Sequence, residues 1–146
     1  MASLEIYNNQ TEELISDMLL EKLLSCGNLA LPLALQNPAH GGGVLADLDD
    51  VEISIVSDEV IAQVHQDFME IPGATDVITF EHGEIVISAE TACAYAAHYE
   101  NSFEKELMLY IIHGLLHLAG HEDADPLERK VMEGIQNQIL KQVWSA

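Results

Sequence analysis

The sequence has very little positive charge. It contains 25 Asp and Glu residues but only 5 Lys and Arg, which gives 146 residues a formal net charge of −20 with histidine neutral. A strongly acidic surface repels phosphate backbones and anionic lipid headgroups, so the composition disfavours generic electrostatic binding to nucleic acid or membrane. Cations and basic protein surfaces are favoured as partners instead. A surplus of carboxylates would also suit a protein that stays soluble at high salt.

Cysteine is scarce as well. Cys26 and Cys93 form neither a disulfide framework nor a CxxC pair, and they predict small apolar side chains in a reducing compartment. No secretory signal pattern opens the chain, and the apolar stretch from Leu107 to Gly120 is shorter than the roughly 20 residues of a membrane helix. We therefore expect a cytoplasmic protein without a membrane partner.

Length and hydrophobic periodicity predict the fold class. A chain of 146 residues suits one domain with a single core, so we predict one domain over residues 1–146. The order of elements is β-α-β-α-β-β-α-α-α, an α/β (α+β) structure with a small mixed four-stranded sheet and about five helices. Strands are expected near residues 4–7, 51–56, 76–80 and 84–88, and a last helix from Pro126 to about Val143.

The N-terminal third contains the strongest breaker signals. A helical pattern begins at Thr11 and is expected to end near Gly27. Residues 31–50 contain two prolines, three consecutive glycines and several aspartates. This composition predicts a mobile loop.

The strongest chemical signal is a histidine-rich segment, His113-Gly-Leu-Leu-His117-Leu-Ala-Gly120-His121-Glu122-Asp123. His113 and His117 are four residues apart, so on a helix they project from one face and offer two nitrogens to a zinc-sized ion. Their neighbours are mostly apolar, and two buried imidazoles share a need for a partner that one cation would meet. Gly120 fits the position after a helix end, where the chain turns back over the site.

Three protein ligands on zinc would leave one coordination position for a water molecule, which the ion makes more acidic. The histidine spacing is that of metzincin proteases, but their general base directly follows the first histidine. That position is Gly114 here. We therefore do not expect a protease.

The segment from His113 to Gly120 resembles the signature of the YbeY (UPF0054) family, bacterial zinc-dependent endoribonucleases associated with ribosomal RNA maturation and ribosome quality control. Thr75-Asp-Val-Ile-Thr-Phe80 resembles the family's TDVLSF segment, and Gly83-Glu-Ile-Val-Ile-Ser88 resembles its GDIVIS strand. The resemblance covers roughly residues 50–140. It implies a small mixed sheet with the metal motif on a central buried helix, one zinc ion, and RNA and small-subunit ribosomal proteins as partners.

The third metal ligand departs from the family pattern. The family has a third histidine ten residues after the first, and that position is Asp123 here. Because a carboxylate can also bind zinc, the resemblance implies the ligand set His113, His117 and Asp123. His121 is the alternative third ligand.

Two other carboxylates are candidate catalytic residues. Glu122 could accept a proton from metal-bound water, or it could be a solvated loop residue. Asp76 could orient a ligand histidine by accepting a hydrogen bond from the ring nitrogen that does not bind the metal, or it could cap the turn before its strand.

A second departure concerns phosphate binding. Met69 stands where the family usually has an arginine thought to bind substrate phosphate, so a bidentate clamp is missing, and an apolar packing role is the alternative. Apart from Arg129-Lys130 on the last helix, which is expected to be solvated helix surface, the basic residues are scattered along the sequence and predict no basic patch. They are Lys22, Lys105, Arg129, Lys130 and Lys141.

The leading hypothesis is a metal-dependent endoribonuclease-like hydrolase that cleaves single-stranded or ribosomal RNA. A non-catalytic ribosome-assembly factor with a structural metal is the second hypothesis, favoured by Met69 and the acidic surface. A metal hydrolase with a non-RNA substrate is the third.

Overall fold

A computed structural model describes residues 2–144 of the chain. In this part of the chain four strands and five helices follow one another in the predicted order, which confirms the predicted fold class. They are β1 (Ser3–Asn8), α1 (Asp17–Leu35), β2 (Asp50–Val56), α2 (Asp58–Met69), β3 (Val77–Thr79), β4 (Glu84–Ser88), α3 (Ala89–His98), α4 (Phe103–Leu118) and α5 (Pro126–Val143). The predicted bounds of β4 and α5 match the structure.

The strands form one mixed sheet in the order β1-β2-β4-β3. β1, β2 and β4 are parallel, and β3 runs antiparallel to β4, as expected for the hairpin around Gly83. Ile53 of β2 pairs with Ile6 on one side and with Ile85 on the other. Ile53 and Ile85 are completely buried, as is typical of parallel strands, which helices cover.

Helix α4 lies at the centre of the molecule. It packs against α1, α3 and α5 and against strands β3 and β4. Ten of its 16 residues are buried. Gly114 makes the close approach to the sheet possible, since a Cβ atom there would lie 2.7 Å from Cγ2 of Ile85. The prediction that the histidine motif lies on a central buried helix is confirmed.

Helix α1 differs from its predicted bounds. It begins after Ser16, whose hydroxyl accepts a hydrogen bond from the Leu19 amide (3.1 Å). It then continues past Gly27, the predicted end, to Leu35. A Cβ atom at residue 27 would lie 3.0 Å from a methyl group of Leu4, so this glycine allows α1 to pack closely on β1 and does not end the helix.

Pro32 is also inside α1 and not in a loop. A proline in a helix costs about 3 kcal/mol. The burial of Leu31 and Ala34 in the core compensates for this cost, because burying one leucine side chain contributes about 1.5–3 kcal/mol. By length and composition alone, α1 could cross a membrane. This is weak evidence for a membrane span, because core helices of soluble proteins meet the same criterion.

The loop between α1 and β2 is fastened to the end of α4. The Ala39 amide donates to the Ala119 carbonyl (3.1 Å), and the Val44 amide donates to the Leu118 carbonyl (2.8 Å). Gly120 has a φ of +101°, and a Cβ atom there would lie 2.1 Å from the Gly42 carbonyl oxygen. Glycine is therefore required where the chain leaves α4, as the sequence predicted for a helix end.

Candidate metal centre

Two consecutive turns of α4 and the loop that follows bring three side chains together. The Nε2 atoms of His113 and His117 lie 3.0 Å apart. Oδ2 of Asp123 lies 3.3 Å from Nε2 of His113 and 3.6 Å from Nε2 of His117. The three ligand atoms form a group within 4.8 Å that could hold a metal ion.

Hydrogen bonds on the far side of both imidazoles fix their orientation. Nδ1 of His113 lies 2.8 Å from Oε1 of Gln136, and Nδ1 of His117 lies 2.9 Å from the backbone carbonyl oxygen of His121. Both partners are acceptors, so each Nδ1 carries a proton and donates it. Each Nε2 lone pair is then directed toward Asp123, which is how metal-binding histidines are held.

Gln136 was not among the sequence-predicted site residues. It lies on the buried face of α5 together with Met132 and Ile139. A lone amide on an apolar helix face needs a hydrogen-bond partner. A glutamine among the apolar residues of the last helix was therefore the signal in the sequence that could have identified this residue.

His121 is buried and its ring points elsewhere. Its Nε2 lies 2.7 Å from the carbonyl oxygen of Asn37, at the end of α1, and can donate to it. The contribution of His121 to the cluster is its backbone carbonyl, which accepts from His117.

Burial lowers the pKa of His117 below its ordinary value of 6.5, and the neighbouring His113 lowers it further. The hydrogen bond to the His121 carbonyl and the charge of Asp123 act in the opposite direction but are smaller effects. His117 is therefore neutral near pH 7, which is the protonation state that binds metal.

The donor set fits a divalent cation. Two imidazole nitrogens and one carboxylate oxygen make a three-ligand set of the kind that holds zinc with one open position. The two Nε2 atoms lie 3.0 Å apart, so a cation between them would be bound by both.

Two cavities adjoin the cluster, and Asp123 lines both. The larger cavity, about 470 Å³, is also lined by Met69, Glu81, His117 and Glu122. Among its lining residues in the described part of the chain there is no Lys or Arg. A phosphate on this side would therefore meet no ammonium or guanidinium group from these lining residues, which include three carboxylates.

The smaller cavity, about 210 Å³, lies on the His113 side of the cluster. Three tyrosines line it, one from α3, one just after α3 and one from α4, as do several carboxylates and one guanidinium. The lining residues with polar or aromatic side chains are Asp76, Tyr95, Tyr99, Glu106, Tyr110, His113, Asp123, Arg129, Glu133 and Gln136. The buried Tyr110 hydroxyl has no hydrogen-bond partner, and burial together with the charges of Glu106 and Asp76 raises its pKa well above its usual range.

The two candidate catalytic carboxylates lie on opposite sides of the cluster. Glu122 is exposed beside Asp123 in the larger cavity. Asp76 lines the smaller one, and its Oδ1 accepts from the Val77 amide (2.8 Å) and the Thr75 hydroxyl (3.3 Å). These bonds cap the start of β3, the alternative role considered for Asp76.

Met69 ends α2 at the mouth of the larger cavity, and its side chain is 44% exposed. The position of the missing arginine therefore faces the cluster. A guanidinium there would be directed into the same cavity as Asp123.

Comparisons with known proteins show the family to which the chain is similar. The family described as Endoribonuclease YbeY matches residues 6–144. The Endoribonuclease YbeY of Phocaeicola vulgatus is 36% identical over 91 residues, which are 58% of this chain and 66% of that protein. The Endoribonuclease YbeY of Bacteroides fragilis is 34% identical over 100 residues, 64% of this chain and 72% of that protein.

A solved structure is also similar. The solution structure of TM1509 from Thermotoga maritima superposes with a TM-score of 0.60 at 28% sequence identity. The superposition covers 97% of this chain and 89% of the Thermotoga chain. The similarity thus extends over nearly all elements of the fold.

Proposed function

Because the chain belongs to the YbeY endoribonuclease family, we propose that it is a metal-dependent endoribonuclease that cleaves single-stranded or ribosomal RNA in rRNA maturation and ribosome quality control. The observation that carries this proposal is the convergence of two Nε2 atoms and one carboxylate oxygen within 4.8 Å. By family resemblance, small-subunit ribosomal proteins are its partners and the cytoplasm is its location.

We assign His113, His117 and Asp123 as the metal ligands and zinc as the ion. Asp123 is preferred to His121 because its Oδ2 lies within 3.6 Å of both Nε2 atoms, whereas the His121 ring contacts the Asn37 carbonyl. When bound, a zinc ion supplies Lewis acidity toward a phosphodiester oxygen and makes a water molecule more acidic.

The chain's own residues supply the remaining chemistry. Glu122, exposed beside Asp123, is the candidate acceptor of the proton that the attacking hydroxyl or water loses. Asp76 borders the cluster on the other side and is the second candidate catalytic carboxylate. Gln136 and the His121 carbonyl keep the two imidazoles oriented.

Cleavage of a labelled single-stranded RNA by the purified, zinc-loaded chain tests this proposal. We expect His117→Ala and a chelator each to abolish cleavage, and His40→Ala, a change at an exposed histidine in the loop after α1, to leave it intact. Elemental analysis of Asp123→Ala and His121→Ala tests the ligand set, with metal lost in the first and kept in the second. Cleavage that survives both His117→Ala and chelation would refute the proposal.

Met69 favours a second candidate, a ribosome-assembly factor that keeps the metal as a structural element. The exposed thioether stands where a phosphate-binding guanidinium is expected. In that case the protein would bind small-subunit ribosomal proteins stoichiometrically and show no RNA turnover with any divalent metal.

A further inference from the structure

Most of the positive charge of this acidic chain is gathered in one place. A cavity of about 780 Å³ is lined by Lys22 of α1, Lys105 of α4 and Lys141 of α5. These are three of the five Lys and Arg residues in the sequence. The prediction that the basic residues are scattered is therefore wrong in three dimensions, because packing of the three helices brings them together.

The surroundings of this lysine cluster suit an anion. Lys22 Nζ lies 3.9 Å above the ring of Trp144. The first turn of α4, capped by Ser102, opens at the same cavity, and a helix N-terminus carries partial positive charge. Among the lining residues described there are three lysines and one carboxylate, Glu104, in a chain whose net charge is −20.

One exposed stripe of α4 connects the lysine cluster to the metal centre. From Lys105 to the end of the helix the partly exposed residues are Lys105, Leu109, His113 and His117, and the others are buried. They recur at every fourth position, so they follow one another along the helix surface. Twelve residues at 1.5 Å each place Lys105 about 18 Å from His117 along the helix axis.

The smaller cavity lies between these two ends. Leu109 and His113 line it from α4, and the next turn of α5 after Gln136 supplies Asn137, Leu140 and Lys141 to the lysine cavity. The residues that line the two cavities are therefore consecutive in sequence on both α4 (Lys105 and Glu106) and α5 (Gln136 and Asn137). A strand lying on this stripe would pass from the lysines over the tyrosines to the metal ligands.

The wall of the smaller cavity suits bases better than phosphates. Tyr95 of α3 and Tyr99, which directly follows that helix, are 45% and 68% exposed, and their rings are nearly parallel with centroids 6.1 Å apart. Exposed aromatic rings are platforms on which single-stranded bases stack. Glu106 and Asp76 line the same cavity, and their carboxylates can accept hydrogen bonds from base amino groups.

We propose that the lysine cluster binds the phosphate backbone of single-stranded RNA at a distance from the metal centre, with the intervening bases lying over Tyr95 and Tyr99. At about 3.4 Å per phosphate in a stacked strand, 18 Å corresponds to about five nucleotides, and to fewer in an extended strand. The choice of RNA as the ligand rests on the proposed function.

Lys141→Gln and Lys130→Gln form a matched pair for the test. Both lysines are exposed on α5, and Lys130 is not among the residues that line the lysine cavity. Binding of a labelled 12-nucleotide single-stranded RNA is measured in a chelator, so that the RNA stays intact, between 50 and 200 mM salt. Loss of one phosphate contact removes about 0.7 from the slope of log affinity against log salt, which is about a fivefold loss of affinity at 0.1 M salt.

We expect this loss in Lys141→Gln, a larger one when Lys105→Gln is added, and none in Lys130→Gln. Equal losses in the two single variants would overturn the placement. Weaker binding of poly-glutamate with unchanged RNA binding would identify an acidic protein as the ligand and also overturn it.

The outcome is separable from that of the proposed function. RNA that binds with the expected pattern but is not cleaved with any metal contradicts the nuclease proposal and supports the lysine site. Metal-dependent cleavage with identical affinities for all variants contradicts the lysine site alone.

Discussion

Gln136 holds His113 in the orientation that points its Nε2 at Asp123, although it touches no ligand atom of the proposed metal. Its Oε1 accepts from Nδ1 of His113 at 2.8 Å, and the residue is only 8% exposed. Replacing it with methionine, which has a similar length but no strong acceptor, leaves the His113 N–H without a partner in a largely buried place. We predict that Gln136→Met weakens metal binding.

The magnitude follows from the loss of one orienting hydrogen bond. Changes at residues that orient metal-binding histidines typically reduce metal affinity 10–100-fold, which corresponds to about 1.4–2.7 kcal/mol. The His113 side chain is 24% exposed, so water can replace part of the lost interaction. The expected loss is therefore near the lower end, about tenfold.

Competition with a chromophoric zinc chelator at pH 7.5 measures this affinity. Gln138→Met is the matched control, because Gln138 is exposed on the same helix and the chemical change is identical. Gln136→Glu retains an acceptor and should retain the affinity. If folded Gln136→Met protein binds zinc as tightly as the Gln138→Met control, the assigned orienting role of Gln136 is wrong.

Three further predictions concern packing, protonation and phosphate binding. Gly114→Ala should lower the free energy of unfolding by about 1–3 kcal/mol through overpacking against Ile85. Gly134→Ala, with open space around its Cβ, should raise the free energy of unfolding by roughly 0.5–1 kcal/mol. Urea denaturation measures both changes, and a shift in the same direction in the two variants would contradict the packing argument. Burial lowers the pKa of His117 in the folded state, so the unfolded state takes up a proton more readily. The metal-free protein should therefore lose stability as pH falls through 6.5. A His117→Gln protein whose stability has the same pH dependence would exclude this cause. Met69→Arg should restore a phosphate contact at the larger cavity and steepen the salt dependence of RNA binding by about 0.7 in slope, and an unchanged slope would show that this position does not face the RNA.

Much of the fold could be predicted because its signals are local. Most strands are marked by alternating apolar residues, and helices α2, α3 and α4 are marked by a serine cap at their start. Each of these signals lies within a few residues of the element that it marks. The end of α1 could not be found in this way. Gly27 packs against Leu4 of a separate strand, and Pro32 is tolerated because its neighbours are buried by distant helices.

The candidate site also contains residues that local sequence signals predict and one residue that only helix packing brings there. His113 and His117 were predicted from a spacing that one helix turns into a common face. Asp123 was predicted from the resemblance to the family signature, in which the third ligand lies ten residues after the first. The structure brings Asp123 within 3.6 Å of both Nε2 atoms. Gln136 lies on another helix, and only the packing of α5 on α4 brings its amide to His113.

The charge of the chain gives the clearest contrast. The sequence by itself determined the surplus of carboxylates, the helical histidine pair and the order of the elements, because composition and short-range periodicity are properties of the covalent chain. Only the tertiary structure decided that Lys22, Lys105 and Lys141 share one cavity. They lie on three different helices, and their proximity depends on how buried side chains far from each lysine pack those helices together.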